Sequence, residues 1–241
     1  RWPEGFLRRP AVADWMQRSD TPIRHAPRRY AEAHLMPAAP KAARIGFVCP
    51  SPIRGSGRHR TIFNVARRLI DLGYDVHVLL PGPDDDAEVV RDFLQTSAWH
   101  CHQGWSVNIS FDAMFATTPQ SAHAIQAHYP YVQHTFYLVQ DYEPLFNPMS
   151  DTFLLWEDSY ALGFIPLTIG NWLSHTLKRW YGVTGYPSGP GYDPSIYYPR
   201  ADIPREQAIA FVFQPEEPWR APQLALRALI RVKQLLPDTN V

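Results

Sequence analysis

The chain has 241 residues, a formal net charge of zero, 45% hydrophobic residues and 19% charged residues, which is ordinary for a globular protein able to bury a core. Zero net charge excludes a global field that would recruit nucleic acid or an anionic membrane, leaving only local basic clusters for such contacts. No apolar run reaches the roughly 18 residues of a membrane span and no signal peptide is recognisable, so the expected location is the cytoplasm.

Cys49 and Cys101 read as small buried residues near strand ends rather than as a disulfide framework, in keeping with a reducing compartment. Aromatic residues make up 13% of the chain, eight of them Trp, a supply that suits carbohydrate handling as well as a large core.

Residues 1–41 lack a sustained period and are broken by Pro3, Pro10, Pro22, Pro27, Pro37 and Pro40. They read as an amino-terminal arm. Its Arg8-Arg9 and Arg28-Arg29 pairs offer a second reading, peripheral contact with the inner face of a membrane.

From Arg44 the pattern changes. Arg44 to Cys49 is a buried strand, followed by a loop with Gly55-Ser56-Gly57 and a helix over about Arg58–Leu72. Ile62, Val65, Ala66, Leu69 and Ile70 form one apolar stripe on that helix, and Gly73 ends it. Asp75 to Leu80 is the next strand, which completes a right-handed βαβ unit.

The Gly-x-Gly is only the start of a dinucleotide fingerprint. The third glycine is missing, and Leu80-Pro81-Gly82 stands where an acidic ribose ligand belongs, so no nicotinamide cofactor is expected. The loop still offers a helix N-terminus to an anionic or hydroxyl-rich ligand, with Arg58, His59 and Arg60 in the first turn.

Asp84-Asp85-Asp86 could suggest an Asp-x-Asp metal site. It also opens a helix predicted over Asp84–Gln95, where acids suit the macrodipole, and that is the preferred reading. His100-Cys101-His102 has no second pair at metal spacing, and adjacent strand side chains point apart, so no metal is expected there.

Phe111 to Ala116 is a strand. Thr117-Thr118-Pro119 then sets an N-cap and a first-turn proline for a helix ending near His128. Phe136 to Val139 is a strand buried on both faces, and it breaks into Gln140-Asp141-Tyr142-Glu143-Pro144. In an open parallel sheet, acids placed just past the carboxy end of a buried strand lie where ligands bind. The plainer alternative is a solvated turn closed by Pro144.

A helix is predicted over Asp151–Ala161 and a strand over Phe164–Ile169, with Pro166 implying an irregular or edge position. Gly170 precedes a helix over Asn171–Tyr181. Tyr186 to Tyr198 is a Gly/Pro loop of the kind that connects domains. Within it Asp193 is either an acidic ligand at a cleft or a turn residue. Ala208 to Phe213 then reads as a strand and Pro218 to Leu236 as a helix. One strand and one helix cannot cover both of their faces, so a second α/β domain is expected to begin at about residue 201 and to be cut short.

The run Gly57-Arg58-His59-Arg60-Thr61-Ile62-Phe63, then FDAMFATTPQSA, FYLVQDYEPLF, Leu155 to Phe164 and TIGNWL together resemble bacterial rhamnosyltransferases of the WsaF type, in glycosyltransferase family 4. The resemblance covers about Arg44 to Val241, and the Val-Gln-Asp-Tyr-Glu-Pro block is its most specific part.

It implies a GT-B fold, α/β throughout. Residues 42–200 would be the Rossmann-like acceptor-side domain, and residues 201–241 the start of a donor-binding domain. It implies a retaining transferase that takes a sugar, rhamnose from dTDP-rhamnose by this likeness, to a glycan or lipid-linked acceptor in cell-surface polysaccharide synthesis, with no metal or cofactor. Such catalysis is mostly positioning and stabilisation of the departing diphosphate.

By that resemblance Asp141 and Glu143 are the catalytic candidates, binding sugar hydroxyls or acting near the reacting carbon. Gly55, Gly57, Arg58, His59, Gln140, Tyr142, Gly170, Trp172 and Asp193 line the substrate site. Tyr142 and Trp172 are candidates to stack on a sugar face (packing is the other reading for Trp172), and His59 is a candidate donor to acceptor or phosphate.

The departures lie in the second lobe. Gln214 stands where an arginine is expected near the donor diphosphate, and Arg220 alone survives from the following arginine pair. An amide cannot replace a guanidinium as a phosphate clamp. The family's acidic pair would fall beyond Val241. The donor is therefore left open and the chain alone could lack activity; the alternative is a non-catalytic glycan- or partner-binding module on the same fold.

Overall fold

The computed structural model describes residues 43–81, 85–189, 191–192, 194, 196–204 and 206–240. The expected arm lies outside the described residues, as does Asp193.

Among the described residues, seven strands form one parallel sheet in the order β3-β2-β1-β4-β5-β6-β7. They are β1 (Arg44–Val48), β2 (Asp75–Leu80), β3 (His100–Gln103), β4 (Ala113–Ala116), β5 (His134–Val139), β6 (Ile165–Thr168) and β7 (Tyr186–Pro187). Between them run α1 (Gly57–Asp71), α2 (Asp85–Leu94), α3 (Pro119–His128), α4 (Asp151–Asp158) and α5 (Asn171–Tyr181). The architecture is the Rossmann-like α/β fold expected from the alternating patterns.

Strand alternation builds two cores. Phe47, Val78, Phe115 and Leu138 pack with Ile62, Phe63 and Ala66 of α1 on one face. Val48, Met114, Ala116, Tyr137 and Val139 pack with Ile125, Leu173 and Leu177 on the other. Successive residues on one strand serve opposite layers, which is why these strands read as unbroken apolar runs. The register sets Phe47 beside Phe115 and Phe115 beside Phe136. Their rings stack at 4.6 and 4.8 Å, close to the spacing of neighbouring strands. This aromatic ladder fixes the alignment of the three central strands.

Several expectations are corrected. β3 is not foreseen from apolar patterning, because His-Cys-His-Gln is a polar edge strand. Cys101 on it is exposed rather than buried. Cys49 is buried as expected, and burial pushes its thiol up to about 12. The predicted helix over Asp151–Ala161 finishes as a 3₁₀ turn, Ser159–Ala161. Pro166 sits in β6 with β5 on one side; on the other, two-residue β7 pairs only with Leu167 and Thr168.

Ala208–Phe213 forms no strand beyond one bridge, Ala208 to Asn240. Among the described residues it has no neighbouring strand to complete a ladder, and Ile209, Phe211, Val212 and Phe213 are exposed. The helix after it is α6 (Pro222–Leu235), whose Leu224, Leu226, Ile230 and Leu235 are likewise exposed. No helix among the described residues is long and apolar enough to cross a membrane.

Candidate functional site

The chain crosses the sheet between β1 and β4, so helices switch faces there, and the carboxy ends of β1, β4, β5 and β6 open on one edge. Ligands of open parallel sheets bind at that edge.

After β1, Gly55 turns the chain with φ +76°, a conformation that costs glycine little. Ser56 then caps α1, its Oγ accepting the His59 N–H at 3.4 Å. This places Arg58 in the first helical turn, facing the loop after β5. Gln140 Nε2 donates to the Arg58 carbonyl at 3.2 Å, and the Arg58 guanidinium pairs with Glu143. Residues on separate strand-to-helix connections are thus joined at the edge.

Glu143 is only 2% exposed. Neither of its oxygens has an aligned hydrogen-bond donor among the described residues, so the Arg58 charge compensates the cost of burying it. Burial in turn lowers the Arg58 pKa, while Asp141 and Glu217 nearby work the other way. The guanidinium stays charged.

The two catalytic candidates therefore differ. Glu143 is held against Arg58 inside the protein. Asp141 is exposed, and its Oδ1 accepts the Tyr142 N–H at 2.8 Å, which leaves its other oxygen facing out as an acceptor.

Two expectations change here. Tyr142 is 2% exposed, with Tyr160 stacked at 5.8 Å and Trp180 edge-on at 5.1 Å, so its ring is no open platform for a sugar. Its hydroxyl donates to Glu157 Oε1 at 2.6 Å, and Tyr181 donates to the same oxygen at 2.9 Å. Burial holds the Tyr142 and Tyr181 phenols well above their ordinary range, so they remain donors. Tyr142 fastens the β5 loop to α4 and α5.

His59 is 4% exposed, its ring nitrogens have no hydrogen-bond partner among the described residues, and it lies beside Phe63. Burial first, then the Arg58 charge, push its imidazole down to about 4. It is a neutral core residue rather than a donor presented to the edge.

Gly170 precedes α5 with φ +86° and gives that helix no side-chain cap. Trp172 in its first turn is 55% exposed, which leaves its indole open. Among the described residues, no atom from elsewhere in the chain comes within 4 Å of where a Cβ on Gly57 would stand, so the backbone at the start of α1 is likewise open.

The second-lobe segment also reaches this edge. Trp219 stacks on Phe146 at 4.9 Å and 20°, which sets the Glu217–Arg220 turn against the β5 loop. Arg220 itself pairs with Glu217.

Glu157, Tyr160, Tyr181 and Glu217 are the residues of this region that sequence reasoning did not assign. They are far apart along the chain, and only the abundance of tyrosine hinted at such a cluster.

Fold and edge together define a Rossmann-like α/β domain whose carboxy-terminal strand edge carries a guanidinium among carboxylates. Over 127 residues, 52% of the chain, the sequence is 31% identical to an O-antigen biosynthesis protein, RfbC, of Myxococcus xanthus. The chain spans about a tenth of that relative's length, the match covering 10% of it. No family model and no solved structure matches the chain.

Proposed function

We propose that this chain is the acceptor-side lobe of a GT-B-type glycosyltransferase in polysaccharide synthesis, residues 201–241 beginning the donor-binding lobe. The observation that carries the reading is the Arg58–Glu143 pair. It fixes the β1 and β5 loops to each other at the ligand-binding edge and leaves Asp141 outward beside them. The similarity to an O-antigen biosynthesis protein supports the biosynthetic setting.

In this reading Asp141 accepts paired hydrogen bonds from sugar hydroxyls. Trp172 supplies a stacking face, and Gly55, Gly57 and Gly170 let the acceptor approach the backbone. Gln140 and Glu143 hold the loop rather than touch the sugar, and Arg58 provides positive potential toward the departing diphosphate. The retaining outcome, the rhamnosyl donor with its dTDP carrier, the lipid-linked form of the acceptor and a transfer that needs no metal in the cleft belong to the same proposal.

The binding-module reading has one observation in its favour. Arg220, the surviving candidate for the donor phosphates, is already paired with Glu217.

Isothermal titration with dTDP, UDP and GDP sugars, of this chain and of a version extended through the donor lobe, tests the proposal. Donor binding only by the extended protein is expected. Binding by neither favours the module, and binding by this chain alone reverses the lobe assignment.

A further inference from the structure

A second polar cluster stands at the opposite, amino-terminal end of the strands, on the β3 edge of the sheet. The parallel register pairs His77 of β2 with His100 of β3, so two imidazoles become cross-strand neighbours, their rings stacked at 4.5 Å. Asp75 lies two residues before His77 and so shares its side of the strand. Its Oδ1 is 3.2 Å from His77 Nε2 and 3.2 Å from His100 Nε2. The three ligand atoms lie within 4.8 Å of one another.

Two further contacts orient this group. His102 Nε2 lies 2.8 Å from His77 Nδ1, and Arg44 Nε donates to Asp75 Oδ2 at 3.3 Å, leaving Oδ1 turned to the histidines. His77 is 5% exposed, and its Nε2, although close to Asp75, makes no aligned hydrogen bond among the described residues. A buried ring nitrogen lying beside a carboxylate oxygen with no aligned bond between them is an incomplete arrangement.

We propose that Asp75, His77 and His100 bind a divalent cation of the zinc class. Bonds of about 2.0–2.2 Å around a tetrahedral ion set neighbouring ligand atoms roughly 3.3–3.5 Å apart, close to the two 3.2 Å separations here. Two imidazoles and one carboxylate suit zinc and its first-row neighbours better than calcium or magnesium, which prefer all-oxygen shells. His102 orients His77 from behind, as the outer hydrogen-bond partner of a metal-bound histidine does. The side chain of His100 is 60% exposed, which leaves the fourth position open to water. The ion links four-residue β3 to β2 and so secures a short edge strand whose sequence does little to hold it. The site is remote from the Arg58–Glu143 edge and does not depend on the glycosyltransferase reading.

The test is titration of the chelator-treated 241-residue chain with Co²⁺ and then Zn²⁺, read by the visible absorption of Co²⁺ and by thermal melting. One equivalent of Co²⁺ bound and displaced by Zn²⁺ is expected. The midpoint should rise by roughly 5–10 °C when free Zn²⁺ exceeds its Kd a hundredfold. His100→Ala removes an exposed ligand, so it should keep the wild-type far-ultraviolet dichroism and lose the Co²⁺ signal. His102→Ala should weaken binding by roughly 10–100-fold, and His128→Ala should leave it unchanged. No saturable binding by the wild-type chain, or binding that His100→Ala leaves intact, overturns the proposal.

Discussion

Two carboxylates, one at each end of the sheet, are each met by nitrogen groups from another part of the chain, and their surroundings give them different properties. Glu143 is 2% exposed and faces a permanent guanidinium. The side chain of Asp75 is 30% exposed and faces imidazoles as well as Arg44. Removing one member of a dry pair leaves an uncompensated charge inside the protein, whereas in the second cluster water reaches Asp75 and His100 and screens the carboxylate. The first arrangement locks two loops together at the carboxy-terminal ends of the strands. The second leaves nitrogen and oxygen lone pairs that can turn to an ion.

The largest effect that sharpens this contrast is expected from Arg58→Ala. It should cost about 3 kcal/mol or more, because Glu143 is left buried and unpaired; urea unfolding reads it directly. A cost under about 1 kcal/mol would place Glu143 in contact with water and break the comparison.

His59 gives a pH-dependent effect of similar size. Its imidazole titrates near 4 in the folded chain against an ordinary 6.5, so as pH falls the unfolded chain takes up the proton first. The stability it contributes is full above about pH 6.5 and is lost toward pH 4, on the order of 3 kcal/mol. His59→Leu should flatten that part of the stability–pH curve, and a curve unchanged by the substitution would contradict the burial.

Tyr142→Phe should cost about 1–2 kcal/mol in thermal unfolding, since Glu157 keeps its bond from Tyr181. Asp75→Asn in metal-free protein should cost less than about 1 kcal/mol, as expected of a solvent-screened pair.

Sequence reached the fold further than it reached the site. β1, β2 and β5 are legible because both faces of each are buried, which leaves continuous apolar runs. Thr118 and Pro119 announce the start of α3, and Thr118 does cap it, its Oγ1 accepting the Ser121 N–H at 3.2 Å. β3 has one outer edge in water and no apolar run, so its histidines look like isolated ligands. Their partners Asp75 and His77 come from the next strand, at a distance in sequence that spacing rules do not cover.

Residues 208–213 show the reverse error. Their apolarity suits a strand, but a strand forms only where another can accept its hydrogen bonds. At the cleft, the acids after β5 stood out, yet nothing local said that Glu143 turns inward to Arg58 while Asp141 stays outside. By the resemblance Tyr142 is a candidate to stack on a sugar face, and nothing local in the sequence says that it is buried. The aromatic neighbours that bury it, Tyr160, Trp180 and Tyr181, arrive from later elements.

The most direct test of the central claim, that the β5 edge holds a glycan acceptor through Asp141, is calorimetric titration of wild-type and Asp141→Asn protein with oligosaccharides of a bacterial surface polysaccharide. Water screens the attraction of the exposed carboxylate to Arg58, and an amide oxygen can keep the Tyr142 N–H bond, so the substitution should cost less than about 1 kcal/mol in melting. Saturable binding by the wild type, weakened at least tenfold in Asp141→Asn, is the expected result. Equal binding by the two proteins, or none by either, would contradict the claim.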